Sequence, residues 1–182
     1  FKQKTAYEIL SGLVGSVGLG SPHHLVGELF REQSKLKLTH VPYRGAAPAI
    51  QDVIGGQIPA MWVESATAYS FINGKKVKPI GVASAQRVST MPDVATISEQ
   101  GIKGFEGYAW QGLVVPTGTS AEFTGQLAKA LQTALNSTTV KARLQALGVE
   151  PLPGTPAQMA AFSGSERDKW GRVIKQVGVR LD

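Results

Sequence analysis

Residues 39–56, THVPYRGAAPAIQDVIGG, carry the chain's clearest chemical signal: a strand runs to about Pro42 and a helix starts within a few residues with no carboxylate near it. The first turn of a helix has backbone N–H groups without intrahelical acceptors and the positive end of the helix dipole, so Asp or Glu is normally favoured there. Here the first acid is Asp52, near the helix end, and Gly45 leaves room for another backbone or a ligand. The same arrangement occurs in SVGLGSPHHLVGELF, Ser16–Phe30, where a Gly-rich turn leads to Ser21 as N-cap and Pro22 at the first helical position. Its first acid is Glu28, two turns in. Such helix starts bind a carboxylate or phosphate without a side-chain charge.

Other side chains add to this chemistry. Arg44, beside the second helix start, has the fork geometry for bidentate carboxylate binding. His23 and His24 are adjacent, so on a helix their rings diverge and cannot share a metal ion. No second ligand cluster with suitable spacing accompanies them, and no metal or cofactor is expected.

The elements that must position these groups follow from periodicity. Leu13–Val17 reads as a strand, Pro22–Gln33 as a helix, Lys35–Val41 as a strand and Ala46–Ile54 as a helix. Ile58–Val63 (strand), Ser65–Asn73 (helix closed by Gly74) and Lys78–Ala83 (strand) continue the alternation, which predicts parallel βαβ units. Right-handed crossovers then bring the helix-leading loops to one sheet edge. Thr96 and Glu99 have capping-box spacing for a short helix, and Phe105–Val115 reads as extended. Beyond Pro116 the texture turns helical: Ala121–Asn136, Thr139–Leu147, and a last helix from Thr155-Pro156 to about Val177, with a short strand at Val149–Leu152 between them.

Bulk properties bound the function. The 182 residues can bury a proper core, and the formal charge of +6 suits an anionic ligand, a nucleic acid or simple solubility. The basic residues are scattered; the densest group, Lys75, Lys76 and Lys78, sits in a turn, and no basic stripe with interleaved aromatics marks a nucleic-acid surface. There are no cysteines, and no apolar run reaches the roughly 18–20 residues of a membrane span. Enzyme motifs are missing: there is no G-x-S-x-G elbow and no Walker loop, and Gly18-Leu19-Gly20 matches only the first two glycines of the dinucleotide fingerprint. These absences speak against an enzyme, and the family resemblance that follows is what chiefly implies a binding module, not an enzyme.

Five segments in order, SVGLGSPHHLVGELF, HVPYRGAAPAIQDVIGGQI, VASAQRVSTMPDVATISEQGIKGFE, GLVVPTGT and KWGRVIKQVGVRLD, make the chain resemble the Bug-type extracytoplasmic solute receptors of tripartite tricarboxylate transporters. The resemblance implies a periplasmic-binding-protein-like α/β lobe with a parallel-rich sheet flanked by helices, plus a mainly helical C-terminal return segment of the other lobe. It implies that 7–107 form the second, ligand-binding lobe and that 108–182 belong to an incomplete first lobe. The implied ligand is a small carboxylate: a di- or tricarboxylate, an acidic amino acid or an aromatic acid. The implied partners are the transporter's membrane subunits, with a sensor domain signalling through another protein as the alternative. By position in that family, Ser16, Gly20, Ser21 and His23 fall in the first binding loop, Tyr43, Arg44 and Gly45 in the second, and Glu64 with Ser65 at the end of the third strand. A bare Glu64 would repel an anion, so its expected part is to bind a ligand amino or hydroxyl group or to orient Arg44. The resemblance also implies a periplasmic location, with the export signal not in this sequence, and apolar helix faces in 108–182 that need a cover, including a dimeric or swapped contact.

Overall fold

A computed structural model describes residues 12–178. Its centre is a three-stranded parallel sheet in the order β2-β1-β3, made of β1 (Gly12–Val17), β2 (Leu38–Tyr43) and β3 (Ala60–Met61). Helix α1 (Pro22–Ser34) joins β1 to β2, and α2 (Ala46–Ile54) joins β2 to β3; α3 (Ser65–Asn73) follows β3. The C-terminal part adds α4 (Ala121–Asn136), α5 (Thr138–Ala146) and α6 (Pro156–Val177). The α/β class and parallel sheet expected from the alternation are therefore present.

Strand register sorts the side chains. Val14 pairs with His40 and Ser16 with Pro42, so the even-numbered residues of β1 and β2 share a face. That face meets α1, and the main core forms there from Val14, Val26, Leu29, Phe30, Ile97, Ile102, Phe105 and Val173, with Trp62 and Trp170 packed against it. Val173 and Trp170 come from α6, so the last helix is anchored on this core. The opposite face is closed by Ile58 and Tyr43 over Gly15, where a Cβ would stand 2.6 Å from Ile58 Cδ1.

Several expected strands are shorter or missing, each for a local reason. Ile58–Val63 contracts to Ala60–Met61 because the Gln57 and Ile58 amides donate to the Asp52 carbonyl, and Pro59 has no N–H to offer a ladder. Lys78–Ala83 is reduced to one parallel bridge between Val82 and Thr96. Val149–Leu152 forms no strand, since the Val149 amide closes back on Leu144 and Pro151 lacks a donor. Thr96 and Glu99 do make both capping-box bonds, 2.7 and 3.0 Å, but the chain turns away before a helix forms. The expected start of the second lobe at residue 7 lies outside the described residues.

Helices α4 and α5 contribute no buried residue. Phe123 is 52% exposed and Leu131 40%, so much of the apolar side of α4 lies open. Trp110 docks edge-on against Phe162 of α6, with ring centroids 5.4 Å apart.

Candidate anion-binding edge

The three strands are parallel, so their C-terminal ends, and the helix starts that follow, lie on the same edge of the sheet. The two loops leading into α1 and α2 are tied together directly: the Gly18 amide donates to the Tyr43 carbonyl at 2.9 Å. No helix of the three has an acid in its first turn. The start of α3 differs from the other two, because its N-cap is the carboxylate Glu64.

At α1, Ser21 is extended and its hydroxyl accepts from the His24 amide at 3.2 Å. That leaves the Leu19, Ser21 and His23 amides without an acceptor among the described residues. Gly18 and Gly20 both have left-handed backbones, with φ of 67° and 71°, which lets the loop turn its amides outward without a Cβ clash. At α2 a Cβ on Gly45 would meet no heavy atom within 4 Å, so the space above that start is open. Its N-cap makes no side-chain bond.

The nine residues named for the site occupy this edge in different ways. Ser16 is fully buried beneath it, its hydroxyl sharing a 2.6 Å hydrogen bond with His40 Nε2. Tyr43 turns its hydroxyl to Asp52, donating at 2.8 Å, so the first acid of α2 is held by a partner. Arg44 is exposed and makes no ion pair or hydrogen bond among the described residues. Glu64 stands 3.8 Å from His23 Nε2. Gly20, Ser21, Gly45 and Ser65 are at the helix starts themselves.

His24, weighed from sequence only against metal binding, and His40, not placed in the site from sequence, form the floor. Their rings stack with centroids 4.0 Å apart. The Gly20 amide donates to His24 Nδ1 at 3.0 Å, which puts the neutral ring's proton on Nε2, 3.7 Å from Glu28. Glu28 in turn pairs with Arg31. The signal for this cluster lies in strand parity, which groups Ser16 with His40 once register is known.

Burial holds all three histidines below the usual imidazole range. For His23 it outweighs the Glu64 carboxylate, and for His24 it outweighs Glu28 with Arg31 adding to the depression. His40 is lowered to about 4, by burial first and then by the neighbouring His24. At neutral pH these rings are therefore uncharged. The attraction for an anion falls to backbone amides and to Arg44. Among the described residues no group of three metal-ligating side chains comes together, and no helix is long and apolar enough to cross a membrane.

Residues 12–179 match the model of the tripartite tricarboxylate transporter family receptor. The chain belongs to this family. Family members and structural neighbours are solute-binding receptors, not enzymes. Among curated relatives, a protein from the tcbD-tcbE intergenic region of a Pseudomonas species is 34% identical over 87% of this chain and 48% of its own length. Another, from the clcB-clcD intergenic region of Pseudomonas knackmussii, is 34% identical over 86% of this chain and 94% of its own. The chain thus spans about half the length of most curated relatives it matches and nearly all of one.

Solved structures agree on the fold. A TctC solute-binding protein from Polaromonas superposes with a TM-score of 0.83 at 26% identity, covering 97% of this chain and 63% of the other. An R. palustris protein with adipate gives 0.76 at 27% identity, covering 95% and 58%. MatC from Rhodopseudomonas palustris with bound malate gives 0.71 at 28% identity, covering 95% and 63%.

Proposed function

We propose that this chain is the ligand-binding part of an extracytoplasmic receptor that captures a small carboxylate for a tripartite tricarboxylate transporter. The observation that carries the reading is the single sheet edge with two acid-free, open helix starts, those of α1 and α2, joined by the Gly18–Tyr43 bond. Each start contributes on the order of 0.3–1 kcal/mol to an anion, somewhat more when partly buried. The neutral histidine floor keeps the site from becoming a general polyanion trap.

Family membership supports the transport role, with the transporter's membrane subunits as partners and the periplasm as location. Adipate and malate, bound by two structural neighbours, are both dicarboxylates and are the first ligands to try. We read 7–107 as the second lobe and 108–182 as the return segment of the first. The absence of buried residues in α4 and α5 is what that reading expects of helices made to pack on more protein. In this arrangement Arg44 meets the carboxylate, and Glu64 with His23 meets a ligand hydroxyl or amino group.

Titration calorimetry with malate and adipate tests the site, comparing the natural protein with Ser21→Asp and Gly45→Asp. At position 21 Asp is as good an N-cap as Ser, so the fold is retained; at position 45, where φ of 159° strains any side chain, a melt matching the natural protein accompanies the titration. Loss of binding in both variants is expected. Binding that survives both substitutions would put the site elsewhere.

A further inference from the structure

The Gly18–Ser21 loop is held by a short set of hydrogen bonds. The Gly18 amide donates to the Tyr43 carbonyl at 2.9 Å, the Ser21 hydroxyl donates to the Gly18 carbonyl at 3.0 Å and accepts from the His24 amide at 3.2 Å, and the Gly20 amide donates to His24 Nδ1 at 3.0 Å. Only the last of these has an acceptor that can itself take up a proton near neutral pH. Gly20 lies between Leu19 and Ser21, whose amides have no acceptor among the described residues, so the ring holds the middle amide of the three and leaves its neighbours unbonded.

The ring is fixed in place. His24 is buried, and His40 lies nearly flat against it, 17° between planes, with its own Nε2 on the Ser16 hydroxyl. Because the neutral ring carries its proton on Nε2, an added proton goes to Nδ1, and the acceptor becomes a donor aimed at the Gly20 donor. The groups around it are few. On α1, Glu28 stands 3.7 Å from Nε2 and pairs with Arg31, while His23 faces Glu64 instead. On β2 the facing titratable group is His40; β1 offers only the Ser16 hydroxyl, through His40; and α6 meets this core with the uncharged Val173 and Trp170. Burial first, offset by Glu28 and assisted by Arg31, keeps His24 below the ordinary imidazole range, so the bond to Gly20 is intact at neutral pH and is lost on acidification.

We propose that His24 is a proton-operated pin: neutral, it holds the Gly18–Ser21 loop through the Gly20 amide, and protonated at Nδ1 it lets that amide go while β1 and α1 stay folded. Gly18 and Gly20 are both left-handed, and they are the positions at which the released backbone can turn at least cost. Release is local, because the bonds of Gly18 to Tyr43 and of Ser21 to the helix start involve no group that titrates in this range. The pin does not depend on what the edge binds, and its test uses no ligand.

Nuclear magnetic resonance on the isotope-labelled natural chain, titrated from pH 7.5 to pH 4.5, follows the His24 and His40 rings, the Gly20 amide and the β1 amides together. The Gly20 amide should shift along the same curve as the His24 ring. The heteronuclear NOEs of Leu19 and Gly20 should fall along that curve, while those of Val14 and Gly15 in β1 hold their values. His24→Asn places an amide oxygen close to the position of Nδ1 and cannot titrate, so its Gly20 shift and loop NOEs should stay constant over the same range. A Gly20 amide that ignores the His24 curve, or a first proton that goes to His40 with Gly20 unmoved, would overturn the pin. So would a loop that loosens equally in His24→Asn, or β1 NOEs that fall together with those of the loop. If His24→Asn does not fold, the natural protein decides by itself, through agreement or disagreement of the Gly20 and His24 curves.

Discussion

Ser16 and His40 meet across the β1–β2 ladder, Oγ to Nε2 at 2.6 Å, with the far side of the His40 ring stacked on His24. The imidazole is thereby held by a hydroxyl and an aromatic face, and burial first and the neighbouring His24 second disfavour a second proton on it. Beneath the proposed anion site, this arrangement keeps a basic residue neutral.

Stability should therefore fall as pH drops from about 6.5 toward 4. His40 titrates near 6.5 in the unfolded chain and at about 4 in the folded one, and His23 and His24 shift in the same direction. Between those values the unfolded state binds more protons, so its population rises as pH falls. For His40 the effect is on the order of 1–2 kcal/mol after discounting for solvent that still reaches the ring. Urea unfolding at pH 7.5 and pH 4.5 checks this, and His40→Gln should flatten the difference. Glu99, held below the usual carboxylate range by Arg87, loses its contribution only at lower pH and does not account for this window.

Gly15→Ala should destabilise, against the usual sign. Replacing glycine in a strand normally gains about 0.5–1 kcal/mol. At position 15 the new methyl would meet Ile58 Cδ1 at 2.6 Å and Tyr43 Cε2 at 3.2 Å, and overpacking of this kind costs roughly 1–3 kcal/mol. A thermal melt that rises for this variant would mean the β3 side of the sheet is looser than described.

Lys169→Met should weaken the anchor of α6. Glu166 is buried, donated to by Trp170 Nε1 at 2.9 Å and paired with Lys169, whose ammonium also lies 5.0 Å from the Trp170 ring. Removing the lysine leaves a buried carboxylate short of its cation, a loss of about 2–3 kcal/mol, below the range for fully buried pairs because Lys169 keeps some solvent. Chemical denaturation of Lys169→Met and of Lys169→Met/Glu166→Gln separates the charge effect: the double variant should recover part of the loss.

The 182-residue chain should self-associate through α4. Phe123 and Leu131 lie on that helix, 52% and 40% exposed, with no described element covering them. Contiguous apolar surface of this kind is uncommon on a soluble monomer. Light scattering should report association that rises with concentration and is reduced by Phe123→Glu with Leu131→Glu; a strictly monomeric natural chain at millimolar concentration would rule it out.

Local rules found the helices that form, although the Thr96–Glu99 capping box also predicted one that does not. Ser21-Pro22 and Thr155-Pro156 set helix starts within a residue or two, because capping acts over a single turn. Acid-free starts at α1 and α2 were legible for the same reason. Strands were less so: whether Ile58–Val63 or Lys78–Ala83 pairs depends on where their amides are already committed, as the Asp52 and Ala95 carbonyls show. Parallel register then decided what no local pattern contains. It put Ser16 near His40, and packing outside the sheet gave Tyr43 to Asp52 and brought Gly148 from 83 residues away onto Ser65. Sequence determined which groups could hold an anion; tertiary structure decided which of them are open to one, because exposure and hydrogen-bond partnership depend on contacts between segments far apart along the chain.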